Sequence, residues 1–363
     1  MTEILKTSLP HANPAVLVTG GCGYIGSHTV VELLQSGTDV VILDNLCNSS
    51  TDVLRRIEKI SGRTVAFVEA DVRDGAALDR VFQTYSINAV IHFAGLKAVG
   101  ESVALPLEYF DNNLVSTLRL LESMRAAGVR RLVFSSSAAV YGDPITVPIT
   151  EESDLRTSNP YGRTKLICEQ ILSDMLVADP QWQIACLRYF NVVGAHESGL
   201  IGDTPSGTPN NLMPYVCQVA AGQREYLSIF GGDYPTPDGT GVRDYIHVVD
   251  LARGHLAALN YLASSGRSIT VNLGTGSGVS VLQIVEAFEK INAVSVPKRV
   301  VARRPGDIAA CYADPGRANQ VLGWHAEKDL SAMCRDAWRW QSTSTGCVEQ
   351  TENVYSRAAF APD

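Results

Sequence analysis

An α/β fold, a doubly wound parallel sheet followed by a smaller α/β domain, is what this sequence predicts, and three observations predict it. Short, nearly unbroken apolar runs, among them Val16-Leu17-Val18, Val40-Val41-Ile42-Leu43, Ala89-Val90-Ile91 and Leu132-Val133-Phe134, alternate with stretches of helical periodicity. Strands of that kind are buried on both faces, as in a parallel sheet held between two layers of helices. The first run breaks into Gly20-Gly21-Cys22-Gly23-Tyr24-Ile25-Gly26 ahead of a helical pattern that ends at Gly37. Gly20, Asp44, Asp71, Gly95 and Ser137 all fall where a run ends, the edge of such a sheet at which ligands collect.

Residues 1–13 mix charged, polar and proline residues without an apolar core and read as a short tail rather than a signal peptide. The strand, glycine turn and helix that follow let backbone N–H groups approach a pyrophosphate at the positive end of the helix, with Gly26 bringing helix and strand close. The spacing is G-x-x-G-x-x-G, and tight turns also use glycine for steric reasons. The second run ends in Asp44, 18 residues beyond Gly26. A carboxylate there accepts hydrogen bonds from the adenosine ribose hydroxyls and repels a 2′-phosphate, so NAD is expected rather than NADP.

The alternation continues through Val65 to Val68 ahead of Asp71, Ala89 to Phe93 ahead of Ala94-Gly95, Arg131 to Phe134 ahead of Ser135-Ser136-Ser137, and Ile184 to Phe190 ahead of Asn191, with helices expected over 109–127 and 161–177. His92, inside its strand, reads as a satisfied core histidine. Lys97, just past that strand, stays open between solvent and ligand. The serine triplet is either a polar strand end or the source of a reacting hydroxyl. At Asn191 the regular alternation gives way to a loop rich in Gly, Pro and Asn. We therefore expect a dinucleotide domain over 14–190 and a second domain over 191–341, with segments free to interleave, and a second tail over 342–363. Helices are expected over 212–221, 250–263 and 280–291. Arg243 and the Arg303-Arg304 pair either clamp a diphosphate or form surface ion pairs with Asp244 and Asp307.

Composition narrows the function. A chain of 363 residues, 45% hydrophobic and 19% charged, is an ordinary soluble globular protein. A net charge of −8 argues against nucleic acid or an anionic membrane as the main partner, and no run approaches the ~18 apolar residues of a membrane span. The 8 cysteines show no C-x-x-C spacing and no companion His cluster. Neither zinc nor a disulfide framework is indicated, and reduced thiols in the cytoplasm are expected.

The chemistry centres on Asn159-Pro160-Tyr161-Gly162-Arg163-Thr164-Lys165, which puts a phenol and an ammonium on one face at the start of a helix. A free tyrosine has a pKa of about 10, and lowering it by ~3 units takes roughly 4 kcal/mol of preferential interaction with the phenolate. One partly exposed lysine does not supply that alone. An oxidised nicotinamide ring would be the second cation.

The motifs TGGCGYIGSH (19–28), LDNLCNSS (43–50), HFAGLKAVGES (92–102) and FSSSAAVYG (134–142) are joined by YGRTK (161–165), LRYFNVVGAH (187–196), PNNLMPY (209–215) and DGTGVRDYIHV (238–248). Through them the chain from Val16 to Trp340 resembles the extended short-chain dehydrogenases/reductases, with their Rossmann-type NAD domain, and more narrowly the UDP-glucose 4-epimerases. The resemblance implies Tyr161 as catalytic base, Lys165 as its electrostatic partner and Ser137 as a proton-relaying hydroxyl. It implies NAD contacts from Gly20, Gly23, Tyr24, Ile25, Gly26, Asp44, Asn45, Asn48, Ser49, Asp71 and Val72, and from Phe93, Ala94, Gly95, Lys97, Asn112, Ser135, Tyr161, Lys165 and Phe190. For a UDP-sugar it implies Ser137, Tyr161, Asn191, Asn211, Leu212, Phe230, Arg243, Arg304, Asp307 and Cys311. It also implies a homodimer formed through the helices near 112–127 and 161–177. A residue as small as Cys311 at a position that lines the hexose pocket implies room for an N-acetyl group. Otherwise Cys311 is a buried small hydrophobe and Tyr312 refills the space. Two rivals remain. A sugar-nucleotide 4,6-dehydratase of the same fold needs a further acid and base beside the serine, where this chain has Ala138-Ala139. A non-catalytic NAD-sensing protein would have no need of Ser137, Tyr161 and Lys165.

Overall fold

A computed structural model describes residues 14–205, 207, 209–304 and 306–356, with side chains as far as residue 343. The expected alternation becomes β1 (Ala15–Thr19), α1 (Tyr24–Gln35), β2 (Asp39–Asp44), α2 (Asp52–Ser61), β3 (Ala66–Glu69), α3 (Gly75–Thr84) and β4 (Ile87–His92). Then come α4 (Val99–Ala104), α5 (Pro106–Phe110), a π-turn over Asp111–Val115, α6 (Ser116–Ala126), β5 (Arg131–Ser137), α7 (Pro160–Ala178) and β6 (Gln183–Tyr189). The second half contributes β7 (Asn191–Val193), α8 (Leu212–Ala220), β8 (Leu227–Phe230), β9 (Val242–His247), α9 (Val248–Ser265) and β10 (Ile269–Leu273). It ends with β11 (Gly278–Ser280), α10 (Val281–Asn292), β12 (Lys298–Val301), β13 (Ala310–Cys311) and α11 (Leu330–Ser356).

Seven parallel strands line up as β10-β6-β5-β4-β1-β2-β3. The chain winds outward from β1 to β3, returns to β4 on the other side of β1, and winds away again, which opens a crevice between the carboxyl ends of β1 and β4. Both faces of β1 are buried, as its unbroken apolar run requires. Val16 and Val18 pack with Val30, Leu34, Leu251 and Leu262 of α1 and α9, while Ala15 and Leu17 pack with Leu78, Leu120, Met124 and Leu172 of α3, α6 and α7. Successive side chains of a strand point to opposite faces, and each fully buried side chain of this size contributes about 1.5–3 kcal/mol. β1 is thereby a rigid floor for the loop that leaves it.

The second half gathers β7, β11 and β13 around β9, with β8 paired to β12, over a core that includes Val216, Ile229, Tyr245, Phe288 and Met333. It also returns to the first sheet, since β10 pairs with β6 and α9 packs against the sheet beside α1. The expected division at 190/191 is therefore crossed by α9 and β10. Without β10, β6 would be an open, apolar sheet edge. The final helix runs to Ser356, into the stretch expected to be a tail from 342, and no proline interrupts it. The other expected tail, residues 1–13, lies outside the described residues. Among those described, no helix is long and apolar enough to cross a membrane.

Candidate functional site

At the crevice, Gly20 has φ +69°, and a Cβ on it would come within 2.8 Å of the Ala94 nitrogen. A Cβ on Gly26 would run into the Gly20 carbonyl oxygen. Glycine is thus required at both positions for α1 to start hard against the end of β1. Gly23 caps α1 without a side-chain bond, and no acidic residue occupies the first turn. The orphan N–H groups there and the positive end of the helix are left for an anion. Tyr24 and Ile25 offer backbone here, for the Tyr24 hydroxyl donates to the Gly194 carbonyl at 2.6 Å.

Asp44, at the end of β2, accepts from the Cys22 N–H at 2.9 Å, the Leu46 N–H at 2.9 Å and the Ser49 hydroxyl at 3.1 Å. It ties the glycine turn to the loop after β2. From that loop Asn45 donates to Asp71 at 3.1 Å, and Asn48 is exposed. The hydrogen bonds of Arg73 hold the Asp71 carboxyl down at about 2, with buried Val72 behind it. Across the crevice, Phe93 lies 4.7 Å from the His255 ring, Lys97 lies 5.9 Å over the Tyr24 ring, and Asn112 accepts from the Leu96 N–H at 3.2 Å. A glycine cradle, an uncapped helix start and a carboxylate one strand over are the parts an adenine dinucleotide needs. NAD fits them.

The reactive side chains meet one strand further on. Asn159 caps α7 by accepting from the Gly162 N–H at 2.8 Å, and Pro160 takes the first helical position. A Cβ on Gly162 would lie 2.6 Å from the Ala139 carbonyl oxygen, so α7 starts tight against the turn after β5. Ser137 caps that turn, and the contact brings Tyr161 into hydrogen-bond reach of the Ser137 hydroxyl. Burial pushes the Tyr161 phenol up, and the bond from Ser137 opposes it. One turn along, buried Lys165 donates to the Ser135 carbonyl at 2.7 Å and lies 5.0 Å over the Phe134 ring. Burial lowers its ammonium to about 8. Ser135 reaches the site through its carbonyl, because its hydroxyl is bonded to Tyr189. His92 is a core histidine, bonded to Thr19 at 2.7 Å and Thr117 at 3.3 Å and lowered by burial to about 3.

The second half faces this edge. Phe190 and Cys311 share an apolar cluster with Ala138, Val140 and Tyr141, an apolar wall that includes the turn following Ser137. Burial pushes the Cys311 thiol up to about 11. Cys311 lies in register with Arg243 across β13 and β9. Arg243 is not consumed by Asp244, whose carboxylate accepts from Thr275, Gly276 and Ala313. Arg304 pairs with Asp307 at 3.0 Å and stacks 4.6 Å over the half-exposed Phe230 ring. Asn191 is exposed at the start of β7. Asn211 precedes Leu212 at the head of α8 and donates to Asp203 at 3.3 Å.

Sequence reasoning passed over Asn113. Buried in the π-turn, it accepts from the Leu96 N–H at 2.8 Å and donates to the Leu96 carbonyl at 3.0 Å and the Thr164 hydroxyl at 2.9 Å. It joins the loop carrying Gly95 and Lys97 to the residue before Lys165. The available signal was an Asn-Asn doublet inside a helical pattern, where asparagine is poorly suited to a regular turn.

A family model described as GDP-mannose 4,6 dehydratase matches residues 17–337. The UDP-glucose 4-epimerase of Bacillus subtilis (strain 168) is 59% identical over 338 residues, 93% of this chain and 100% of that one. Among solved structures, UDP-glucose 4-epimerase from Stenotrophomonas maltophila with bound NAD and formylated UDP-arabinopyranose is 53% identical, with a TM-score of 0.91 over 92% of this chain and 100% of that one. UDP-glucose 4-epimerase from Bifidobacterium longum, in complex with NAD+ and UDP, is 54% identical, with a TM-score of 0.88 over 91% and 99%.

Proposed function

The chain belongs to the UDP-glucose 4-epimerases, NAD-dependent isomerases of the extended short-chain dehydrogenase/reductase family, and we propose how its own residues invert C4 between UDP-galactose and UDP-glucose. One observation carries the assignment: the close approach of α7 to the turn after β5 sets Tyr161 against Ser137, with Lys165 buried beneath, at the edge where the glycine cradle opens. Tyr161 takes the proton of the sugar 4-hydroxyl and Ser137 relays it. Gly20, Gly23, Gly26, Asp44 and Asp71 hold NAD, which supplies the hydride acceptor and donor at C4. Lys165 supplies one positive charge to offset the burial that raises the phenol, and an oxidised nicotinamide bound there would supply a second.

Inversion requires the 4-keto sugar to present its other face while the nucleotide stays in place. Arg243 and Arg304 hold the diphosphate, and Asn191, Asn211, Leu212, Phe230 and Asp307 complete the UDP site. The wall of Phe190, Ala138 and Cys311 offers the hexose almost no directional partner, so the sugar is free to turn. The 4,6-dehydratase alternative lacks its acid and base, since Ser137 is followed by Ala138 and Ala139. The same wall is the ground for a second activity: with the small Cys311 in it rather than a ring, the site would admit the larger 2-substituent of UDP-N-acetylhexosamines.

Helices α5, α6 and α7 expose Leu107, Leu118 and Val177, apolar surface suited to a second copy of the chain. Seven free cysteines among the described residues favour a reducing, cytoplasmic setting, with a role in galactose metabolism following from the substrates.

Tyr161→Phe tests the base. NAD content and thermal unfolding should match wild type while turnover falls by about 10²–10⁴-fold, the contribution of a positioned proton acceptor. Near-normal turnover removes Tyr161 from this role.

A further inference from the structure

Arg303 and Arg304 are neighbours in sequence and do different work. Arg304 reaches the UDP-sugar residues, stacking on Phe230 and pairing with Asp307. Arg303 turns the other way. Its Nε donates to Asp233 Oδ1 at 2.7 Å, its Nη2 donates to the Asp233 carbonyl at 2.6 Å, and its guanidinium lies 4.0 Å over the Tyr234 ring. A planar fork stacked on an aromatic face fixes both position and orientation, which a lysine cannot do.

The segment it grips, residues 231–241, joins Phe230 at the end of β8 to Arg243 near the start of β9. The segment is folded on itself: Tyr234 N–H donates to the Gly239 carbonyl at 2.9 Å, and the Thr236 hydroxyl to the Thr240 carbonyl at 2.7 Å. Its far end is fastened to α10, where the Ser280 hydroxyl bonds Asp238. Its near end turns at Gly231, φ +84°, where a Cβ would lie 2.5 Å from the Tyr234 ring and 2.9 Å from Arg303 Cγ. Among the described residues, and apart from the Gly231 N–H to Val301 carbonyl bond of 2.9 Å, Arg303 supplies the polar fastening at that end.

We propose that Arg303 is a positioning residue for the nucleotide: it clamps residues 231–241 so that Phe230 and Arg243, at the two ends, engage one uridine diphosphate together. The proposal rests on the UDP-sugar reading of the site. Because the bonds and ring contact of Arg303 go to Asp233 and Tyr234 and not to Ser137 or Tyr161, its loss weakens binding and leaves chemistry alone.

The test uses NAD-loaded enzyme and measures UDP affinity by calorimetry beside UDP-galactose kinetics. Arg303→Met keeps an aliphatic stem over Tyr234 and removes the fork. It should raise the UDP Kd and the KM by about tenfold, as expected for one lost charge-assisted hydrogen bond, with kcat within twofold and the melting temperature unchanged. Arg303→Lys should not restore affinity. Arg299→Met is the control. Arg299 stacks 4.0 Å over Tyr226 and pairs with Glu225 on the same ribbon, outside the clamped segment, and its loss should alter neither quantity. Equal UDP affinity in wild type and Arg303→Met overturns the clamp, as does an equal loss in Arg299→Met. Failure of wild type to bind UDP overturns the UDP-sugar reading itself.

Discussion

Tyr161 enters the cleft as a weak base, raised by burial and eased only in part by its bond from Ser137. In the proposed mechanism its help comes from positive charge, which the Lys165 ammonium would carry over a limited pH range. Burial brings Lys165 down to about 8 from an ordinary value near 10.5, so the cation is present below that pH and is lost as pH rises through it. Turnover should therefore decline on the alkaline side as the ammonium deprotonates. Lys165→Met should cut turnover at neutral pH and move phenolate formation to higher pH. A pH–rate profile identical to wild type would show that Lys165 plays no electrostatic part. Cys311 is the other residue with a sharp consequence. Placing a ring against Phe190 and Ala138, Cys311→Tyr should abolish turnover of UDP-N-acetylgalactosamine and spare UDP-galactose, since the added volume obstructs only the larger 2-substituent. Equal loss of both activities, or none of the first in wild type, refutes the gate. Cys311 was singled out only through resemblance, because no local pattern marks a short edge strand that meets its partners across the fold. Asn113 escaped for a related reason. Its work is to join a loop 17 residues upstream to a helix 51 residues downstream.

Among the elements, β1 to β6 were legible because strands buried on both faces cannot disguise their apolar runs. β10 was not: Thr270 and Asn272, on either side of Val271, break the run, and Asn272 is buried only because Tyr141 and the backbone of Ile149 satisfy it. Nothing local could say that this strand crosses back over the expected domain boundary. The exposed apolar residues of α5 and α6 were equally unreadable, since a helical period shows that a face exists without showing what covers it. Leu107 and Leu118 are 78% and 43% exposed, apolar surface that a second copy of the chain would cover in the proposed dimer. Wild type should sediment as a dimer at micromolar concentration, and Leu107→Glu combined with Leu118→Glu should sediment as a folded monomer. A monomeric wild type would refute the dimer.

On the proposed reading, the whole molecule divides its labour between a rigid cradle and a nucleotide-holding half. Asp44 bonds the glycine turn, Gly162 presses α7 onto the turn after Ser137, and α9 with β10 locks the two halves into one structure. Because the hydride removed from C4 is the one returned to it, the cycle is redox-neutral, and cofactor held in this cradle should need no external nicotinamide. Purified protein, given UDP-galactose and no added NAD, should form UDP-glucose over many turnovers until the two reach equilibrium. Absence of UDP-glucose from protein shown to carry NAD, or formation of a 4-keto-6-deoxy sugar instead, would contradict an epimerase.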